Sequence, residues 1–248
     1  MVKRKTTIGI FFLLLVFVSC KKKDERSCWK GNGVDSSLEI PLDSVDTWNM
    51  FGSHVKYHIF QDTSRKIVVR GGANLIKLIG VEQDGYDVTV TNNNKCHFLR
   101  DPDKIVEVEI HYPHLRRFFF EPSDSVIFEG TVVSDSLIIQ IAHAGGSMVL
   151  DVDTEFTKVV VSRGTGNYVL SGNSNIAEVK VQDKGFGDAT NFTANSIFVY
   201  QNSTADLWVN LEGANAQVDI DGSGDVHALG QPNSLVKNQV GSGQFIPY

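Results

Sequence analysis

Apolar and polar residues alternate with a period of two through most of the chain. The pattern is plain in Val55-Lys56-Tyr57-His58-Ile59, Tyr86-Asp87-Val88-Thr89-Val90 and Val106-Glu107-Val108-Glu109-Ile110. A strand puts successive side chains on opposite faces, so this alternation predicts half-buried strands. Ile67-Val68-Val69 is a β-branched run suited to a more buried strand. Gln83-Asp84-Gly85 and Asn92-Asn93-Asn94 supply turn residues between strands. Only Ala73-Asn74-Leu75-Ile76-Lys77-Leu78 has helical spacing, and it predicts one short helix.

The second half repeats itself. Small-x-small tripeptides interrupt the apolar runs at Ala144-Gly145-Gly146, Gly164-Thr165-Gly166, Gly185-Phe186-Gly187, Ser203-Thr204-Ala205, Gly222-Ser223-Gly224 and Gly241-Ser242-Gly243. Their last residues fall 18 to 21 positions apart, and Ser123-Asp124-Ser125 extends the series backwards. Each unit leads in with an apolar strand, such as Leu137-Ile138-Ile139-Gln140-Ile141, and leads out with another, such as Met148-Val149-Leu150 or Leu207-Trp208-Val209. Such a period marks stacked coils, because one coil cannot bury its inward side chains alone. Glycine at the breaks suits a corner that turns with positive φ and lets stacked backbones approach closely. The expected inward column is Ile139, Val159, Val179, Val199 and Val218.

These features predict an all-β fold: a right-handed parallel β-helix, or β-solenoid, of about seven short coils with N-terminal strands packed at one end. An antiparallel sandwich of hairpins fits the first half but explains the constant spacing poorly. Phe118-Phe119-Phe120 marks either the seam between the two parts or a contact between subunits of a homo-oligomer. The closing Gln244-Phe245-Ile246-Pro247-Tyr248 is expected to cap the last coil, with Pro247 discouraging further strand addition.

The N-terminus breaks this pattern. Met1-Val2-Lys3-Arg4-Lys5 precedes an apolar run of 11 residues, Ile8 to Val18, and then Ser19-Cys20. A basic start, a short apolar core and a small residue before the break make a secretory signal. At helical rise the run spans about 16 Å, too short for a bilayer core roughly 30 Å thick. Phe17-Val18-Ser19-Cys20 resembles the lipobox of bacterial lipoproteins, although Phe17 stands where leucine is usual. Residues 1–19 then form a lipoprotein signal peptide, and Cys20 carries lipid such as palmitate. The alternative, an ordinary cleaved signal, leaves unexplained why a cysteine falls where the apolar run stops. Residues 20–27 are too charged to bury surface and read as a tether. Cell-envelope localisation follows, as an outer-membrane lipoprotein facing either the periplasm or the exterior.

Charge and cysteine content narrow the partners. The formal charge is −6, and removing residues 1–19 takes away Lys3, Arg4 and Lys5. An acidic body excludes nucleic acid as an expected partner, since phosphate binding needs a basic face. With Cys20 acylated, Cys28 and Cys96 remain. An even pair in an exported chain reads as one disulfide, worth about 4 kcal/mol by chain entropy. A two-cysteine metal site would need partners beyond His97.

Candidate chemistry is sparse. His143, Arg163, Asp183 and Lys184 precede corners and would align along one edge of the stack, about 4.8 Å apart per coil. A lyase needs an arginine or lysine base beside carboxylates, but only one of these four is an acid, so a solvated polar column is expected. Asp151 and Asp153, and likewise Asp219 and Asp221, alternate as on an outward strand face. No calcium-binding glycine-aspartate repeat and no Gly-x-Ser-x-Gly elbow occurs. No metal, cofactor or catalytic residue is therefore expected. Trp208, Tyr200, Phe198 and Tyr168 are the aromatic residues available to face a ligand.

Several ordered motifs together resemble the head GIN domain family of Bacteroidetes lipoproteins, described as auto-transporter adhesins. They are Cys28-Trp29-Lys30-Gly31-Asn32-Gly33, Gly72-Ala73-Asn74-Leu75, Asn94-Lys95-Cys96-His97-Phe98-Leu99-Arg100, Tyr112-Pro113-His114-Leu115, the corner repeats, and Gly241-Ser242-Gly243-Gln244-Phe245-Ile246. Pro122-Ser123-Asp124-Ser125 departs from the usual Gly-Ser-Gly. The resemblance covers residues 28–248 as a single domain, with N-terminal strands over 28–115 and regular repeats over 116–248. It implies a β-helical body and a Cys28–Cys96 pair, and it brings no established activity. The expected function is lipid-anchored, adhesin-like binding to a glycan or another envelope protein, without catalysis. The alternative is a carbohydrate-active β-helix enzyme of the polysaccharide lyase type.

Overall fold

A computed structural model describes residues 31–95, 104–121, 124–143 and 145–248. The expected signal segment and tether, together with Cys20, Cys28 and Cys96, lie outside the described residues.

The regular body is built by β9 (Val126–Ile141), β10 (Ser147–Val161), β11 (Asn167–Asp183) and β12 (Phe186–Ser203), stacked in parallel. Five shorter strands continue it: β13 (Leu207–Asn210), β14 (Asn215–Ile220), β15 (Val226–Leu229), β16 (Ser234–Gln239) and β17 (Phe245–Pro247). The protein is a β-solenoid of about six turns. The sequence shows seven tripeptide corners, and seven corners bound six turns, which accounts for the difference from seven coils.

The repeat length sets the register. Val159 pairs with Ile139 on one side and Val179 on the other, Val179 with Val199, and Val199 with Val218. All five are fully buried. A buried valine or isoleucine contributes about 1.5–3 kcal/mol by leaving water, and each is covered only because its neighbours above and below are stacked. The column extends through Phe118 and Trp48 to Val88. At the other end Val218 pairs with Lys237, whose Nζ sits 4.9 Å over the Phe245 ring. A cation on an aromatic cap closes the last rung and disfavours addition of another strand.

The long strands turn a second corner without leaving extended conformation. In β10, Met148, Leu150, Val152 and Thr154 point inward, then Glu155 and Phe156 both point outward, and Thr157, Val159 and Val161 point inward again. This one-residue phase slip recurs in β11 and β12. Small polar side chains fill the bend: Thr154 Oγ1 lies 2.6 Å from Thr157 Oγ1 and 2.9 Å from Ser174 Oγ.

Of the two causes expected for the corner glycines, close stacking outweighs positive φ. Of the corner glycines, only Gly164 has a positive φ, of 92°. The left-handed residues at the neighbouring corners are His143 and Asp183, with φ of 52° and 62°. Most of the other glycines are required by close stacking. A Cβ on Gly146, Gly224 or Gly243 would lie 2.0 to 2.1 Å from a carbonyl oxygen of the coil below.

At the N-terminal end, stacking order and chain order part company. β2 (Thr47–Phe51) pairs in parallel with both β6 (Asp87–Asn92) and β8 (Arg117–Phe120). β3 (Val55–Phe60) likewise pairs with β7 (Val106–His111) and with the start of β9. The first coil in sequence is thus sandwiched between later ones. Antiparallel pairing is confined to this end, where β4 (Lys66–Gly72) joins β1 (Asp35–Pro41) and β7, and β5 (Ile79–Asp84) joins β6. A single helical turn, α1 (Ala73–Ile76), buries Leu75 and Ile76 within the stretch whose spacing is helical. Phe118 and Phe120 are buried against Phe128, so the triple phenylalanine is the seam and not a free surface.

Candidate functional site

The most developed polar surface covers the middle of β9–β12, between the two corners. Three outward columns run along it. Thr131 and Ser171 both donate to Asp151, the latter at 2.7 Å. Asn173 Nδ2 donates to Asp153 at 2.7 Å. Asn195 Nδ2 donates to Asn175 at 3.1 Å, and Asn175 Nδ2 to Glu155 at 3.2 Å. Each bond joins residues one coil apart, so the parallel register itself builds a carboxylate–amide ladder.

Two contiguous shallow depressions follow this ladder. One, of about 690 Å³, is lined by His114, Arg116, Asp135, Asp153 and Glu155. The next, of about 580 Å³, is lined by Asp153, Asn173, Asn175, Asn195 and Glu212. Arg116 brings a base beside several acids, the combination a lyase requires. Its Nη1 is 2.6 Å from Asp46, so the guanidinium is already committed to a carboxylate. The alternation of Asp151 and Asp153 made them an outward face; their partners one coil away are the new information. Asp135, Glu155, Asn175 and Asn195 recur at intervals of 20, a spacing that carries the same signal and was there to be read.

The sequence candidates before the corners stand at the surface. His143, Arg163, Asp183 and Lys184 are all exposed. Asp183 accepts the Gly164 backbone N–H at 2.9 Å, which stabilises the corner. Trp208 is partly buried on an outer face, where Val149, Val169, Asp188, Trp208, His227 and Ile246 occupy successive surface positions. Its ring stacks on His227 at 3.9 Å and 7°, and meets Tyr248 edge-on at 5.6 Å. Phe186, Asp188, Asn191, Leu229 and Tyr248 complete a third depression beside it. Periodicity could not flag His227 and Tyr248, which join Trp208 only through stacking. Among the described residues, the one group of three acidic or imidazole side chains within metal-ligand reach is Asp206, Asp225 and His227, next to Trp208.

The remaining aromatic candidates divide. Tyr168 is fully buried and cannot face a ligand, because it falls on the inward phase of β11. Phe198 lies under the Lys180 ammonium at 4.7 Å, and Tyr200 donates to Asp221 at 2.9 Å. That face pairs its own charges. Burial opposes ionisation of Glu178, but Lys180 and Lys158 outweigh it and hold the carboxyl below its ordinary value.

The architecture therefore defines a parallel β-solenoid with a filled core and a laddered polar face. The family description "putative auto-transporter adhesin, head GIN domain" matches residues 51–232, and the chain belongs to that family. A "putative adhesin" from Bacteroides fragilis shares the fold with a TM-score of 0.75 at 17% identity, covering 88% of this chain and 100% of that one. A "putative adhesin" from Parabacteroides distasonis has a TM-score of 0.62 at 14% identity, covering 88% and 99%. A "putative lipid binding protein" from the same species has a TM-score of 0.62 at 17% identity, covering 88% and 100%. No functionally curated protein matches.

Proposed function

We propose that the protein is a lipid-anchored, adhesin-like binding module of the cell envelope that holds a polyhydroxylated ligand, a glycan or a glycosylated envelope partner, along the β9–β12 ladder without catalysis. The carrying observation is the ladder: carboxylates and amides repeat at each coil, donating and accepting along one line. A chain of hydroxyl groups lying along the stack meets a matching donor or acceptor at every step of about 4.8 Å. The acyl group on Cys20 and the charged tether present this face at a membrane, and the family and its named relatives agree with an adhesin-like role.

A second reading, a polysaccharide lyase, is favoured by one observation, Arg116 beside Asp135, Asp153 and Glu155. Both readings meet in one experiment. The purified protein is applied to a glycan array and incubated with polysaccharides, with unsaturated products monitored. Retention of glycans that is lost in Asp153→Ala/Asn173→Ala supports the module. Unsaturated products that vanish in Arg116→Ala would establish the enzyme instead.

A further inference from the structure

We propose that Asp206, Asp225 and His227 form a binding site for a divalent transition-metal ion of the zinc class. The three side chains come from two adjacent coils. Asp206 and Asp225 occupy equivalent positions just after successive corners, and His227 follows two residues later, opposite Trp208. One oxygen, one oxygen and one imidazole nitrogen can be drawn from them within 4.8 Å of one another, and all three residues are partly buried.

The shape of the cluster points to a small ion with a nitrogen ligand. His227 Nε2 is 3.3 Å from Asp206 Oδ2. Two ligands on a tetrahedral ion at about 2.0–2.1 Å lie roughly 3.3 to 3.4 Å apart, so this pair already stands at the edge length of a zinc tetrahedron. Only Asp225 has to close in. Calcium prefers six to eight oxygens at longer distance, and a lone imidazole with two carboxylates serves it poorly.

The ligands are also held by a second layer. Asp206 Oδ1 accepts the Asp225 N–H at 2.9 Å, and Asp225 Oδ1 accepts the Gln244 N–H at 2.7 Å. Each carboxylate therefore has one oxygen fixed by the next coil, and Asp206 turns its other oxygen toward His227. The Trp208 ring lies flat against His227 at 3.9 Å and fixes the imidazole plane. Such outer partners commonly change metal affinity by about 10- to 100-fold. The two carboxylates sit one rung apart, and among the described residues no lysine or arginine forms an ion pair with either. A divalent cation supplies the missing charge. Three protein ligands leave a fourth position open to water or to a donor from a bound molecule. Sequence spacing alone points to no metal here, because the ligands are separated by a whole coil.

Zinc ion alone is titrated into purified, tag-free protein with its thiols alkylated, followed by calorimetry and tryptophan fluorescence. The expected result is one equivalent bound with a change in Trp208 emission. His227→Gln, which keeps a hydrogen-bonding side chain, and Asp206→Asn should each weaken binding by more than about tenfold. Trp208→Phe should abolish the emission change while retaining the one-equivalent heat. Thermal melts of each variant without zinc check that the fold is kept, and Asp225→Asn serves as a further ligand variant if one of the others does not fold. Absence of a one-equivalent site, affinity unchanged in folded His227→Gln and Asp206→Asn, or calcium binding more tightly than zinc would overturn the assignment.

Discussion

Gly187 and Tyr168 offer the sharpest test of the stacking argument. Tyr168 pairs with Gly187 in the coil above, and Gly187 pairs with Leu207 in the next. A Cβ on Gly187 would lie 2.5 Å from Tyr168 Cζ and hydroxyl oxygen, and 2.8 Å from Leu207 Cδ1. Ordinary contact begins near 3.4 Å, so the ring would have to retreat by about 0.9 Å, and Tyr168 is fully buried in a core of the kind that packs closely. Gly187→Ala should therefore destabilise the protein by about 1–3 kcal/mol, the usual result of overpacking. Tyr168→Leu alone should also destabilise, by leaving a void. In the Tyr168→Leu background the added methyl enters that void, and Leu207 can turn its terminal methyl aside. The alanine should then change stability by less than about 0.5 kcal/mol, giving a coupling of about 1–3 kcal/mol in a double-mutant cycle. Urea unfolding of the four proteins by circular dichroism measures it. Additive effects, or a neutral Gly187→Ala in the parent, would refute the claim that glycine is there to accommodate the ring.

Three further outcomes follow from buried and paired groups. Among the described residues the buried Tyr168 hydroxyl has no hydrogen-bond partner, so Tyr168→Phe should be neutral or stabilise by up to about 1–3 kcal/mol in urea unfolding; clear destabilisation would reveal a partner. Burial pushes the Tyr57 and Tyr168 phenols far above their ordinary value of 10.0. A raised folded value means their contribution is fully present below pH 10 and lost above it, so the part of the tyrosinate absorbance due to these two phenols should rise only with unfolding in alkali. The Arg70 guanidinium, bonded to Glu109 at 2.6 Å and 3.1 Å, holds that carboxyl below 4.5. Burial opposes ionisation of Asp62, yet bonds from His111 and Ser64 keep it below 3.8. Depressed values stabilise above those pH values and lose that effect as pH falls through the folded ones, so melting temperature should drop in acid, less steeply in Arg70→Gln.

The proposed lipid anchor has its own check. Metabolic palmitate labelling should mark the parent protein and vanish in Cys20→Ala, and retained label in the variant would reject Cys20 as the acylated residue.

The regular half of the molecule was legible in the sequence for a simple reason. In a parallel stack, equivalent residues of adjacent coils sit opposite one another, so a constant repeat length translates directly into side-chain columns. Ile139, Val159, Val179, Val199 and Val218 could be aligned by counting, and the counting survives in their pairing. The ladder was half legible: Asp151 and Asp153 alternate outward, but their partners Ser171 and Asn173 become partners only through register. Corner glycines were legible as positions with two candidate causes, and the choice between them rests on a carbonyl of another coil 2.0 Å from an absent Cβ.

What the sequence by itself determined is the repeat, the inward and outward phases of each strand, and the membership that ordered motifs reveal. These are local properties of side-chain period, and tertiary packing only confirms them. The tertiary structure alone decided that β2 and β3 lodge between later coils, and that Trp208, His227 and Tyr248 meet with Asp206 and Asp225 beside them. Each of these depends on which distant strand supplies the neighbouring rung, and a period of two carries no record of that choice.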